Sequence, residues 1–216
     1  MKRLIDLSHV IEHGMITYKG LPAPVICDFL SREDSKSRYE EGTSFQIGKI
    51  EMVSNTGTYV DVPFHRYENG KDLSEVGLER FVDIPAIVIR TKSMEIGTEV
   101  FAKYHVKDRA VLVDTGWSKH WRTDQYFENH PFLTAGAAAF LKGNGAVLVG
   151  IDSHNIDDTR TKSRPVHTIL LGADILVVEH LCNLDQLPDG EFLFTAVPPK
   201  FKGVGTFPVR AFATSL

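Results

Sequence analysis

The stretch AVLVGIDSHNIDDTRTKSRPVHTILLGADILVVE, residues 146–179, decides the fold class of this 216-residue chain. It begins and ends with continuous apolar runs, 146–151 and 174–179, which are typical of strands covered on both faces. Between them, Pro165 fits the first turn of a helix that ends near Gly172. A strand, a helix and a second strand in this order predict a sheet with parallel members.

The same alternation of strand and helix extends toward the N terminus. Residues 110–114 form another apolar run, and the segment 134–142 that follows is rich in alanine, a strong helix former. Thr134 can cap the start of this helix, and Gly143 can adopt the left-handed conformation that ends it. The prediction is an α/β protein with a mixed sheet, in a single domain over 1–216.

Shorter apolar segments are predicted to supply further strands. They are residues 4–7, 45–53, 192–197 and 209–213. Their alternation of apolar and polar side chains is imperfect, but Gly- and Pro-containing turns bound them.

The composition is that of a globular protein, with 43% hydrophobic and 24% charged residues. A net charge of -4 with intermixed signs gives no basic stripe, so we expect no nucleic-acid partner. Cys27 and Cys182 lie far apart and outside any paired spacing, which fits a reducing compartment. No apolar run is long enough for a signal peptide or a membrane span. A cytoplasmic protein without a membrane partner is therefore expected.

A first pair of candidate functional residues lies in the stretch NTGTYVDVPFH, residues 55–65. Asp61 and His65 flank Pro63, which fixes much of the backbone geometry between them. They lie where a strand ends, a position that catalytic groups often occupy. A lone Asp here would more often cap a turn, and a lone His would more often be a hydrogen-bonded core or surface residue. Their proximity in the sequence favours a site.

A second pair consists of His167 and Glu179. His167 lies on the predicted helix and Glu179 ends the strand that follows it, so packing of the helix on the strand can bring them together. Burial of an unpaired Glu is costly, which predicts a polar partner. A His–Glu pair that only fixes packing explains this pattern about as well as a functional site. The other histidines show no matching spacing and are expected to be mostly solvated.

The stretch 55–65 resembles the signature H-x-G-T-H-x-D-x-P-x-H of the cyclase-like metal-dependent hydrolases, the family of bacterial kynurenine formamidase and isatin hydrolase. The matching positions are Gly57, Thr58, Asp61, Pro63 and His65. Segments 5–9, 149–153, 179–184 and 208–212 resemble other parts of the family, so the resemblance spans nearly the whole chain. It implies a swivelling β/β/α-type fold, a homo-oligomer, and hydrolysis of amide or lactone bonds in a small-molecule substrate.

The resemblance also implies roles for individual residues. In two-metal members, two signature histidines and the Asp bind one zinc or manganese ion, and the same Asp binds the second with a later His and Glu. Carried over, the later set falls on Asp61, His167 and Glu179, and the acid/base His on His65.

The two histidines of the first metal fall on Asn55 and Tyr59. An amide oxygen is a weak zinc ligand, and a phenol must lose a proton from a pKa of roughly 10. We therefore expect one divalent ion, Zn, Mn or Mg, with Tyr59 donating to a developing oxyanion. Asn55 and Phe64 are predicted to contact the substrate. Two alternatives stay open: a non-catalytic homologue that binds a small molecule and has lost the metal site, and a purely structural polar network.

Overall fold

The computed structural model describes residues 3–215, which form thirteen strands and three α-helices joined by loops and short 3-10 turns. The strands are β1 (Leu4–Asp6), β2 (Val25–Leu30), β3 (Ile47–Glu51), β4 (Tyr59–Asp61), β5 (Ile84–Arg90), β6 (Glu95–Ile96), β7 (Ala110–Asp114), β8 (Phe132–Leu133), β9 (Leu148–Ile151), β10 (Leu176–Glu179), β11 (Phe192–Thr195), β12 (Thr206–Pro208) and β13 (Phe212–Ser215). The α-helices are α1 (Arg32–Lys36), α2 (Ala135–Gly143) and α3 (Pro165–Leu171).

Nine of the strands form one mixed sheet, in the order β1-β13-β11-β5-β7-β9-β10-β4-β12. The central strands β5, β7, β9 and β10 are parallel, and the outer ones pair antiparallel. The predicted α/β class, with a mixed sheet of the swivelling β/β/α type in a single domain, is confirmed.

The central strands are buried on both faces because side chains alternate between two apolar layers. Leu112, on β7, joins a cluster formed with the outer strands, whereas Val111 and Val113 join a cluster that contains residues of α2 and α3. All residues of β7, β9 and β10 are buried. The continuous apolar runs of the sequence therefore correspond to strands with a core on each side.

The two longer helices begin where the sequence predicts. The Thr134 hydroxyl accepts a hydrogen bond from the Ala137 N–H at 3.1 Å and caps α2. The predicted left-handed stop at Gly143 is wrong, because Gly143 is the last helical residue and Gly145 has the positive φ of 78°. Pro165 is the first residue of α3, as predicted.

The predicted strand at 209–213 is displaced toward the C terminus. β13 covers Phe212–Ser215, and a separate strand, β12, ends at Pro208. The intervening Val209 donates its N–H to the Thr58 carbonyl. β12 is an edge strand beside β4, whereas β13 lies next to β1 near the opposite edge, so the chain crosses the sheet between the two strands.

The hairpin of β2 and β3 forms a sheet of its own outside the main sheet. Most of its side chains are exposed, including the apolar Val25, Ile26, Phe29, Ile47 and Ile50. A two-stranded hairpin is marginally stable alone, so exposed apolar side chains on it are unusual. Among residues 3–215 the longest helix has nine residues, and none could cross a bilayer.

Candidate active site

Strand β4 places the first functional side chains by its position between β10 and β12. Tyr59 is paired with Glu179 of β10, and Asp61 is paired with Thr206 of β12. Residues two apart on a strand share a face, and directly paired residues of antiparallel strands lie on the same face. The four side chains therefore lie together on one side of the sheet.

The three predicted metal ligands converge. His167 of α3 places Nε2 3.5 Å from Asp61 Oδ2 and 3.7 Å from Glu179 Oε1. All three side chains are buried, with side-chain exposures of 6%, 0% and 1%. Packing of α3 on the sheet thus brings together three side chains that are up to 118 positions apart in the sequence, from residue 61 to residue 179.

His65 completes the group from the 3-10 turn Pro63–His65. Its Nδ1 lies 2.6 Å from the hydroxyl of Thr206, and that hydroxyl donates to Asp61 Oδ1. Because the hydroxyl has given its single proton to Asp61, it accepts from Nδ1–H of His65. In the tautomer with its proton on Nδ1, Nε2 is free to accept a proton, and the side chain is about one-third exposed, at 34%.

The donor set fits a divalent metal ion. Asp61 Oδ2 is buried and has no hydrogen-bond partner within the described residues, which is costly for a carboxylate. Asp61, His65 and His167 each offer an atom within 4.8 Å of the others. Carboxylate oxygens and imidazole nitrogens are ligands of zinc and manganese. A cation beside Asp61 would satisfy the unpartnered oxygen.

Glu179 accepts hydrogen bonds from the protein at both carboxylate oxygens. Oε1 accepts from the Ile156 N–H at 2.6 Å, and Oε2 accepts from the Tyr59 hydroxyl at 2.5 Å. Tyr18 adds a hydroxyl 3.0 Å from that of Tyr59. The Tyr59 hydroxyl therefore donates its proton to Glu179 in this structure and not to the position expected for an oxyanion.

The charges of the site depend on one another. Burial raises the pKa of Glu179 to about 7, and the charge of Asp61 adds to this effect. Burial also lowers the pKa of His167, but the hydrogen bond to Asp157 and the nearby charges of Asp61 and Glu179 outweigh burial and raise the pKa to about 10. The protonated imidazole thus provides the positive charge between the acids, and a metal ion would have to displace its proton.

Sequence reasoning missed Asp157, which orients His167. Its Oδ2 lies 2.6 Å from Nδ1 of His167, and its carboxylate accepts the N–H groups of Val166 and His167. It therefore caps α3 in place of Arg164, which makes no side-chain cap. A carboxylate behind a ligating histidine fixes its tautomer and increases its basicity. The only feature of the sequence that could have indicated Asp157 is that it is an acid in the loop before α3, a helix without a capping side chain at its N-cap position.

Replacing Asp157 with Asn is expected to lower zinc affinity by ~10- to 100-fold. The Asn oxygen can still accept the Val166 N–H, but an amide nitrogen in the place of Oδ2 would donate to Nδ1 of His167 and place the ring proton on Nε2, which faces the other acids. Competition titration with a chromogenic chelator measures the affinity. A far-UV spectrum and melt of the metal-free variant control for folding, and unchanged affinity would contradict the role.

Of the remaining predicted site residues, Asn55 and Tyr59 line the cavity of the site and Phe64 does not. A cavity of about 230 Å³ opens over the site, and Asn55 and Tyr59 line it. Phe64 is partly buried and packs against the apolar core on the side of the outer strands, not among the residues that line the cavity. The predicted substrate contact of Phe64 therefore receives no support from its position.

The expectation that the other histidines are mostly solvated is wrong for several of them. His130, His154 and His180 are buried among aromatic side chains, and the half-buried His9 stacks on Trp121 with ring centroids 4.1 Å apart. Burial lowers the pKa of His9 to about 4 and that of His154 to about 3. These rings are therefore neutral near pH 7 and pack against aromatic side chains.

Residues 5–158 match the family model described as "Putative cyclase". Over 209 residues the chain is 31% identical to the kynurenine formamidase of Bacillus thuringiensis subsp. konkukian and to that of Bacillus cereus strain ATCC 14579. Each alignment covers 96% of this chain and 95% of the relative.

Two solved structures share the fold. Isatin hydrolase A from Labrenzia aggregata, bound to benzyl benzoate, aligns with a TM-score of 0.84 and 24% identity, over 99% of this chain and 94% of that one. A structure described as a potential metal-dependent hydrolase with cyclase activity aligns with a TM-score of 0.82 and 23% identity, over 100% and 99% of the two chains. The family model over residues 5–158 and the relatives at 31% identity show that this chain belongs to the cyclase family.

Proposed function

We propose that this chain is a metal-dependent hydrolase of amide or lactone bonds in a small molecule, arylformamidase-like, with a single divalent ion held by Asp61, His167 and Glu179. The observation that carries the proposal is the buried, unpartnered Oδ2 of Asp61, 3.5 Å from Nε2 of His167. The relatives named kynurenine formamidase support the reaction class, since the chain aligns with them over 96% of its length.

The roles follow from the positions of the side chains. When bound, zinc or manganese would polarise a carbonyl and lower the pKa of water at the site. His65 accepts a proton from the attacking water on its free Nε2 and returns a proton to the leaving group. Thr206 holds the ring of His65 in the required tautomer. His65 has its acid/base role because it is partly exposed to the cavity, whereas Glu179 is fully buried beside His167.

Asn55 and Tyr59 limit the site to one ion. Burial and the charge of Glu179 raise the pKa of Tyr59 well above its usual range. The phenol therefore keeps its proton and serves as a hydrogen-bond donor, not as a metal ligand. We propose that this hydroxyl turns from Glu179 to the developing oxyanion, and that Asn55 contacts the substrate from the wall of the cavity.

A non-catalytic binding protein is the second candidate. It is favoured by the hydrogen bonds to Glu179, because both of its oxygens already have protein partners. In that case the cavity would bind a small molecule without an ion.

Metal analysis combined with an activity assay separates these candidates. Protein purified without chelators is expected to contain about one zinc or manganese ion per chain and to hydrolyse formanilide, with activity lost on chelation and restored by metal. Elemental analysis and formate release are the measurements. A chain that stays metal-free after soaking in zinc and manganese and hydrolyses nothing would support the binding protein.

We also propose that the chain, one domain over 1–216, acts as a cytoplasmic homo-oligomer. The exposed apolar side chains of the β2 and β3 hairpin support self-association, because such patches usually mark interfaces. Cys27 is an exposed free thiol, which fits a reducing compartment.

A further inference from the structure

We propose that Arg66 and Arg164 bind a carboxylate of the substrate, so that the natural substrate is a small anionic amide or lactone. This inference rests on the proposed hydrolytic function and specifies its substrate class. Both arginines line the cavity that contains His65, His167 and Glu179. A molecule with its scissile carbonyl at these groups would therefore place its other end near the two guanidinium groups.

The arginines belong to a wider cationic surface. Arg66 and Arg164 also line a groove beside the cavity, together with Lys162. The groove has no acidic side chain among its lining residues. None of the three cations forms an ion pair with an acid within residues 3–215, although acids outnumber bases in the whole chain by 28 to 24. Cations left without acids beside a cavity attract an anionic ligand.

Arg66 is held in position by α3. Its Nε donates to the hydroxyl of Thr168 at 3.1 Å, and its guanidinium lies over the Tyr67 ring, 5.5 Å from the centroid. The hydroxyl of Tyr67 in turn donates to the Thr168 carbonyl at 2.7 Å. The two Nη groups have no protein partner in the described part of the chain, so they are available to a ligand. Such anchoring reduces the entropy lost when the side chain binds an anion.

Arg164 is fixed by backbone carbonyls of the loop before α3. Its Nη1 donates to the Thr161 carbonyl at 2.8 Å and to the Ser163 carbonyl at 2.7 Å. These bonds leave Nε and Nη2 without partners among residues 3–215. A guanidinium with two free N–H groups on one edge matches the two oxygens of a carboxylate. The loop therefore presents a second, prepositioned cation at the same cavity.

The size of the cavity limits the ligand. Its volume of about 230 Å³ is below the roughly 300–1,000 Å³ of sites for drug-sized ligands. A molecule with a single ring, an acylated amine and one carboxylate has a suitable size for this cavity. The buried acids Asp61 and Glu179 would repel an anion, so the arginines also offset this repulsion at the mouth of the cavity.

Matched substrates test the inference in the metal-loaded protein. The three formamidobenzoate isomers carry a carboxylate that formanilide lacks, while the scissile formamide is the same. We expect kcat/KM for the preferred isomer to exceed that for formanilide by at least ~10-fold. Arg66→Gln and Arg164→Gln are each expected to lower this ratio by ~10- to 100-fold, mainly through KM, since a hydrogen-bonded ion pair is lost.

Two kinds of variant serve as controls. Arg38→Gln removes an exposed arginine that does not line the cavity, and it should leave the ratio unchanged. Arg66→Lys and Arg164→Lys keep the charge but not the planar fork, so a partial recovery of the ratio separates charge from geometry. A ratio near one in the unsubstituted protein, or equal ratios in all variants, would overturn the inference.

A binding measurement distinguishes failure of this inference from failure of the proposed function. Calorimetric titration with benzoate and with benzamide requires no turnover, and benzoate should bind at least ~10-fold more tightly unless the arginines are substituted. If no formamide is hydrolysed but benzoate binding depends on the arginines, the carboxylate site stands and the hydrolase proposal falls. If formanilide is hydrolysed and benzoate binds no better than benzamide, the hydrolase stands and the carboxylate site falls.

Discussion

Replacing Asp61 with Asn is expected to abolish metal binding and to lower kcat/KM by at least ~10³-fold, because the activated water and the polarised carbonyl together contribute several kcal/mol. Asp61 is fully buried, and its Oδ2 is the atom without a partner. The amide of Asn has no negative charge, and its oxygen is a weak metal ligand. The substitution therefore removes one of the two acids that would bind the ion beside His167.

Thermal melts with and without zinc distinguish loss of the metal site from a general loss of folding stability. In the unsubstituted protein, zinc at ~1,000 times its dissociation constant should add about 4 kcal/mol to the free energy of unfolding, and Asp61→Asn should lose this gain. Asp152→Asn is the matched control, since Asp152 is a buried acid whose oxygens accept from Thr115 and Trp117 away from the cavity. If Asp61→Asn unfolds the protein equally with and without zinc, the polar network is structural and the metal site is refuted.

Substituting His65 by Ala is expected to lower kcat by ~10²- to 10⁴-fold while the protein keeps its metal ion, because general acid/base catalysis contributes a factor of this size. The free energy of unfolding should change little, since the side chain is about one-third exposed and its hydrogen bond to Thr206 is part-buried. Loss of His65 also frees Thr206, whose hydroxyl continues to donate to Asp61.

Steady-state kinetics, metal analysis and a thermal melt of the same preparation distinguish the possible roles of His65. His105→Ala is the control, because His105 is exposed and does not line the cavity. Since the ligand atoms of Asp61, His65 and His167 lie within 4.8 Å of one another, loss of the ion in His65→Ala would make His65 a ligand instead of the acid/base group. Full activity in this variant would remove it from the mechanism.

Much of the fold could be predicted because its central elements have strong local patterns. β7, β9 and β10 are continuous apolar runs, and α2 and α3 have a capping Thr134 and an initial Pro165. The edges of the sheet were harder to predict. β12 and β13 are short and only partly buried, so their apolar periodicity is weak and their bounds depend on pairing with distant strands.

The convergence of Asp61, His167 and Glu179 was foreseeable for a related reason. A helix that packs on the strand that follows it constrains their separation, and the family pattern supplied Asp61. The residues around them were not foreseeable. Asp157 and Thr206 hold His167 and His65 through contacts that no spacing in the sequence marks.

The sequence by itself determined the α/β class, the family and the types of ligand, because apolar periodicity and a short motif are local properties of the chain. Only the tertiary structure decided which oxygen of Asp61 lacks a partner, that Tyr59 donates to Glu179, and that two arginines share the cavity. These facts depend on the strand order that places β4 between β10 and β12, and that order is set by long-range pairing and burial.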